Sequence, residues 1–322
     1  VILLASRGEI DLAAWLSDYL PEFADPYVNV NGKREPAKRQ ITVTDLLNMT
    51  SGLAYPYEQT EAGKQSGTVF WNIDQRLFTD DPVTTREFAE MMAATDLSFH
   101  PGEQFLYGTS ADVAGALIER VTGMKFSEFL RREFFEPLGM KDTGFFVPPE
   151  KQSRLARAYD YDSSGALYEN RTNHLGLRYL RDIPPAFESG GAGLCSTLDD
   201  YARFATMLMN GGEYGGKRIL SPAAVKYLTK GGLEDALKPQ LKAGWDWMGG
   251  YTYGNFMRVC EDESRTTLFV NKGEYGWDGW MGTFFSNDPA SGVTFLVGVQ
   301  QLGVGKTGGI VRKLRNAVMS SL

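Results

Sequence analysis

Apolar positions recur at helical spacing most clearly between Thr109 and Gly123. There Val113, Leu117 and Val121 stand four apart, with Ala114 and Ile118 beside them. The pattern predicts a helix that starts near Thr109 or Ser110, either of which can cap the free N–H groups of its first turn. Gly123 supplies the stop. Pro101-Gly102 marks a turn ahead of this helix. Tyr107 therefore stands on the loop feeding the helix N-terminus, where amide donors and the helix dipole favour negative charge. Spacing alone leaves open whether this tyrosine does chemistry or packs beneath the turn.

Elsewhere the helical pattern predicts shorter elements. Ile41 to Leu53 reads as a capped helix running into a turn, and Thr84-Thr-Arg-Glu87 as a capping box for a helix with Phe88, Met91 and Met92 inward. Ser127 to Phe135 forms another. Ser196, with Asp199 three on, caps a helix whose inner face is Leu198, Tyr201, Ala205 and Leu208, stopped by Gly211-Gly212. Ser221-Pro222 opens one more. Residues 26–40 are polar and basic and read as a loop, Gln59 to Asp81 as an irregular aromatic rim, and 150–187 as an aperiodic insertion lining a site. The glycines of 188–194 lack the lysine of a phosphate loop and read as close backbone packing.

From Gly244 the period changes. Trp245 to Tyr253, Thr266 to Asn271, Gly282 to Ser286 and Val293 to Gln300 read as consecutive antiparallel strands, and Ile310 to Met319 as a closing helix. Val1-Ile-Leu-Leu has no cap before it and reads as a helix already under way. Together these predict an α+β fold: an antiparallel sheet flanked by helices from residues 1–25 and 236–322, with a mainly helical region over 26–235.

Composition acts mostly by exclusion. A net charge of −7 over 322 residues leaves no basic footprint for nucleic acid. No apolar run approaches a membrane span. Cys195 and Cys260 lack metal-ligand spacing, and His100 and His174 are the only histidines, so neither metal nor cofactor is implied. With no Gly-x-Ser-x-Gly elbow, a Ser-His-Asp hydrolase would have to rest on one of those two histidines.

Tyr107-Gly108-Thr109, set after Pro-Gly and before a helix ending Ile-Glu-Arg-Val-Thr-Gly, resembles the second motif (Tyr-x-Asn) of the serine β-lactamase and penicillin-binding-protein superfamily. Threonine stands where the β-lactamases carry asparagine, and Ser-Ala-Asp-Val-Ala-Gly is similar to the esterase branch. Ile41 to Leu53 resembles the family's "ITVRHLLTHTSGL", and Pro137 to Thr143 its "PLGMKDT" turn. The first motif, Ser-x-x-Lys, does not occur in the sequence; the resemblance places the nucleophile upstream of Val1.

Two stretches compete for the third motif, which in the family lies on an edge strand. Lys306-Thr307-Gly308 matches the letters but follows the last predicted strand, among glycines that suggest a loop, and is set aside. Trp277-Asp278-Gly279, in "EYGWDGWMGTFFSNDP", is similar to the family's "GHTGGTGTFLWIDP" and has a strand after it. Esterase-like and transacylase-like members often carry Trp-Gly-Gly there. Asp278 is a departure that would repel a substrate carboxylate. From the residues alone, Trp277 and Trp280 are aromatic packing on a sheet face.

The resemblance implies acyl transfer through an acyl-enzyme on a small-molecule ester or amide. Tyr107 would shuttle protons, its pKa lowered by the lysine of Ser-x-x-Lys, and the N–H of Trp280 would be one oxyanion donor. Thr109, Trp277, Asp278 and Gly279 would meet the substrate. An esterase, with transacylase capacity as an extension, is the leading expectation. A β-lactamase or D-amino-acid peptidase is the second, and a catalytically silent binding protein the third.

Overall fold

The computed structural model describes residues 1–302 and 304–322, the side chains of 304–307 excepted. A five-stranded sheet runs in the order Val293–Val297, Phe284–Asp288, Tyr275–Asp278, Met257–Cys260, Tyr251–Gly254, every pair antiparallel. Neighbours in space are neighbours in sequence, because short turns can join antiparallel partners directly. The fold is α+β, as the elements predict. Side-chain alternation gives each sheet face its own core. Val259, Tyr275 and Phe285 join Met207 and Leu208 of the helix Leu198–Met209, while Tyr251, Tyr253 and Phe284 join Val311 of the closing helix.

The strands differ in detail from the pattern. Thr266 to Asn271 is not a strand, and Lys238–Gly244 is helical. Met257–Cys260 and Tyr275–Asp278 are strands that the pattern misses. The cause is buried charge: Arg258 sits inside the first run and Glu274 directly before the second, both at 0 % exposure. Alternation of apolar and polar letters is lost where charged groups pair inside the core. The closing helix begins at Val304, so Lys306-Thr307-Gly308 is helical backbone and not a loop. The side chains of Lys306 and Thr307 lie outside the described residues.

In the helical region, Ser110–Thr122 forms as expected, with Val113, Ala116 and Leu117 at 0 % exposure and Gly123 left-handed at φ 68°. Burying the Val113 and Leu117 side chains contributes on the order of 1.5–3 kcal/mol each. Three segments correct the expectations. Residues 26–40 hold a hairpin, Tyr27–Val30 against Lys33–Pro36, because Asn31-Gly32 supplies two positive φ angles, 54° and 80°. The expected irregular rim contains the helix Glu61–Arg76, whose buried Ala62, Ser66, Val69, Phe70 and Ile73 keep helical spacing through small and polar letters. Thr197, not Ser196, caps the next helix by accepting from Asp200 N, which leaves Leu198 51 % exposed.

Capping also holds in part. Thr84 accepts from Glu87 N, but the Glu87 carboxylate turns to Arg76. Thr42 with Asp45 completes a full capping box at Val43–Leu47, and Ser221 caps Pro222–Leu228. Cys195 and Cys260 are both free thiols. Among the described residues no helix is long and apolar enough to cross a membrane.

Candidate active site

Tyr107 is held from two sides. Leu106 N donates to Met49 O at 2.9 Å, and a Cβ on Gly108 would lie 1.9 Å from Leu53 O. Only glycine permits that approach, so the loop is clamped to the segment that follows the Val43–Leu47 helix. The ring then stands half-buried among aromatics. Trp277 lies 5.3 Å away at 31°, Trp245 5.7 Å away edge-on at 88°, and Tyr55 6.1 Å away. Trp277 Nε1–H donates to the Tyr107 hydroxyl oxygen at 3.1 Å.

The electrostatics run against a phenolate. Burial pushes the Tyr107 phenol up; the Trp277 bond pulls the other way, and Asp112 and Asp278 push it further up. The lowered pKa that the resemblance implies would need a cation at the phenol, and the two charges bearing on it here are carboxylates. Tyr107 stands as a neutral phenol that already accepts one hydrogen bond. Its own proton meets no acceptor among the described residues and can be given to a group in the groove.

Trp277 and Asp278 end the strand Tyr275–Asp278, which lies inside the sheet and not at its edge. Its register with Met257–Cys260 covers only Tyr275 and Gly276, so Trp277 and Asp278 run past that neighbour to the groove wall. Gly279 then turns the chain: its N–H donates to Thr283 O at 2.7 Å, and a Cβ would fall 1.8 Å from Thr283 Oγ1. Trp280 sits on the turn, 50 % exposed, its indole stacked on His174 at 4.0 Å and 14°. The Trp280 N–H donates to no described residue.

Two expectations change here. Asp278 does not stand as a lone negative charge, since its carboxylate pairs with Arg258 Nη1 at 2.6 Å. Burial pushes its carboxyl up while that guanidinium pulls it down. The predicted repulsion of a substrate carboxylate loses its basis. Thr109 occupies the N-cap position of Ser110–Thr122 but its side chain caps nothing, and Ser110 Oγ pairs with Ser51 Oγ at 2.8 Å. Thr109 is 0 % exposed, Oγ1 has no partner among the described residues, and it is absent from the groove wall.

The groove itself, about 2310 Å³, is bounded by Tyr55, Tyr57, Tyr107, Trp245, Trp277 and Trp280 at this end. Tyr57 stacks on Tyr55 at 5.2 Å. Asp112, one turn into the Tyr107 helix, is 1 % exposed and pushed up to about 6 by burial. It accepts from Ser189 Oγ at 2.5 Å and Gly191 N at 3.0 Å. Gly190 packs so that a Cβ would lie 2.1 Å from Ala111 O, which is the close backbone approach expected of that glycine run. Tyr55, Asp112, Trp245 and Arg258 are not singled out by the sequence. The one signal for Arg258 was a charge amid Met, Val and Cys.

Comparison with known proteins gives the family and the fold. The family model described as Beta-lactamase matches residues 1–316. Protein Rv1367c of Mycobacterium tuberculosis is 28 % identical over 305 residues, 92 % of this chain and 73 % of that protein. A Salmonella agona protein described as "Putative D-alanyl-D-alanine carboxypeptidase" is 27 % identical over 308 residues, 91 % of this chain and 64 % of that one. Among solved structures, EstCE1, described as a hydrolase with promiscuous acyltransferase activity, is 24 % identical. It superposes with a TM-score of 0.79 over 99 % of this chain and 80 % of its own. Likeness at that identity establishes the fold.

Proposed function

This chain belongs to the Beta-lactamase family, whose members are serine hydrolases, and on that footing we propose that it is the groove-bearing part of an esterase working through an acyl-enzyme. The observation that carries the proposal is the Trp277 Nε1–H donated to the Tyr107 oxygen. It fixes the phenol beside the groove with its proton available. No Ser-x-x-Lys occurs among the 322 residues, so the proposal assigns the nucleophile to sequence encoded ahead of Val1.

The chemistry follows from roles. The serine oxygen bonds to the ester carbonyl carbon, and the serine proton passes through Tyr107 to the departing alkoxide as the C–O bond breaks. Water then releases the acid by the reverse proton path. The developing oxyanion meets the Trp280 N–H and the serine's own N–H. A cation from Ser-x-x-Lys beside Tyr107 would supply the positive charge its burial calls for.

Esters are favoured over β-lactams because Thr109, in the position of the β-lactamase asparagine, offers no contact to a substrate amide from inside the core. An ester needs none. The discriminating experiment compares kcat/KM for p-nitrophenyl butyrate and a chromogenic cephalosporin, using the full-length protein. Faster ester turnover is expected. Efficient cephalosporin cleavage with negligible esterase activity would replace the proposal with a β-lactamase or D-amino-acid peptidase. Turnover of neither, with Ser-x-x-Lys intact, would leave a silent binding protein.

A further inference from the structure

Arg258, with Arg315, is the largest fully buried side chain among the described residues, and it lies within the sheet that carries Trp277. Its Nη1 donates to Asp278 Oδ1 at 2.6 Å and its Nη2 to the carbonyl of Phe285 at 3.1 Å. These two groups flank one residue. Asp278 follows Trp277 in the chain, and Phe285 is the register partner of Trp277 across the ladder. The guanidinium is itself confined, lying 4.5 Å over the Phe284 ring and 5.3 Å from that of Trp247.

Charge balance extends the fixture inward. Glu274 Oε1 lies 3.7 Å from Arg258 and 3.3 Å from Arg315, all three at most 1 % exposed. Arg258 and Arg315 thus face Glu274 and Asp278, with Arg312 also bearing on Asp278; of the first four, Asp278, at 24 % side-chain exposure, is the one on the groove wall. Among the described residues, Arg258 Nε and both Glu274 oxygens have no hydrogen-bond partner. Removing ions from water is costly, and a well-packed apolar set often serves stability as well. A buried ionic set with unmet polar atoms points to a positional role.

We propose that Arg258 is a positioning residue for the Tyr107–Trp277 pair, fixing from inside the sheet the two groups that flank Trp277 at the groove wall. The kinetic consequence rests on Tyr107 being the proton carrier of the proposed esterase; the geometric claim does not.

The test reads the geometry directly. The full-length protein, labelled with ¹⁵N, shows the indole N–H signals of its tryptophans, and Trp277→Phe assigns that of Trp277. Tyr107→Phe marks where this signal lies without its acceptor. In Arg258→Met the Trp277 signal is expected to move most of the way to that position while the other indole signals stay, and in Arg258→Lys to move much less. Asp278→Asn, which keeps shape and loses charge, is expected to move it in the same direction; it decides the matter should Arg258→Met fail to fold. Where ester turnover is measurable, kcat falls about tenfold with KM nearly unchanged. A Trp277 signal unmoved in both folded variants would overturn the proposal, as would a lowered melting midpoint with no selective indole shift. Absence of ester turnover overturns only the esterase, since the indole readout stands by itself.

Discussion

Trp277 gives its indole N–H to the phenolic oxygen of Tyr107 at 3.1 Å, although 170 positions separate them in the chain. One end of this bond sits on a loop clamped by Gly108, the other on a strand end fixed by Arg258. The bond and the close approach at Gly108 hold the hydroxyl oxygen in place and leave the direction of its proton to vary.

Replacing Tyr107 by phenylalanine removes the proton carrier and leaves the ring. The expected outcome is a fall in kcat for p-nitrophenyl butyrate of about 10²–10⁴-fold, with the circular dichroism of the folded protein retained. Ester hydrolysis untouched by this change would rule out the assigned role.

Trp280 allows side chain and backbone to be separated. Trp280→Ala keeps the N–H and loses the stack on His174, so kcat is expected to stay within about tenfold. Trp280→Pro removes the N–H and is expected to cost about 10²–10³ in kcat, the range for one oxyanion donor. Equal effects of the two changes would place the oxyanion donor elsewhere.

Asp112 gives a pH signature. Its carboxyl is pushed up to about 6 in the fold, against about 3.9 in an unfolded chain. Between those values the folded state holds a proton that the unfolded state has lost, so stability falls as pH rises through that window. Asp112→Asn keeps an oxygen for Ser189 and Gly191 and carries no charge. Its stability relative to the parent is expected to improve by up to about 3 kcal/mol from pH 4 to pH 7, read by urea unfolding. A difference constant with pH would mean that Asp112 titrates normally.

Gly279 is sterically required at the turn. Gly279→Ala places a methyl 1.8 Å from Thr283 Oγ1 and is expected to cost about 1–3 kcal/mol. Adding Thr283→Ala removes that oxygen and should recover most of the loss. No recovery would show that the strain lies in the backbone of the turn.

What the sequence determined is what local spacing and local chemistry control. The helix Ser110–Thr122, its glycine stop and the caps at Thr42 and Ser221 follow from side chains within four positions of the groups they satisfy. The placing of Tyr107 at a helix start follows likewise. The motif resemblance put Trp277 in the same site.

Tertiary structure decided what depends on partners distant in the chain. Whether a buried charge breaks or completes a strand cannot be seen in Met257–Cys260 alone; Asp278 and Glu274, 20 and 16 positions on, make Arg258 tolerable there. The same pairing cancels the repulsion that the letters of Trp277-Asp278-Gly279 suggested. The motif resemblance put Thr109 at a substrate-contacting position, yet packing of its helix start took it wholly out of solvent. Nothing in the sequence singles out Tyr55 or Trp245 as site residues. They become walls of a site because the sheet and the Tyr107 loop bring them round one hydroxyl.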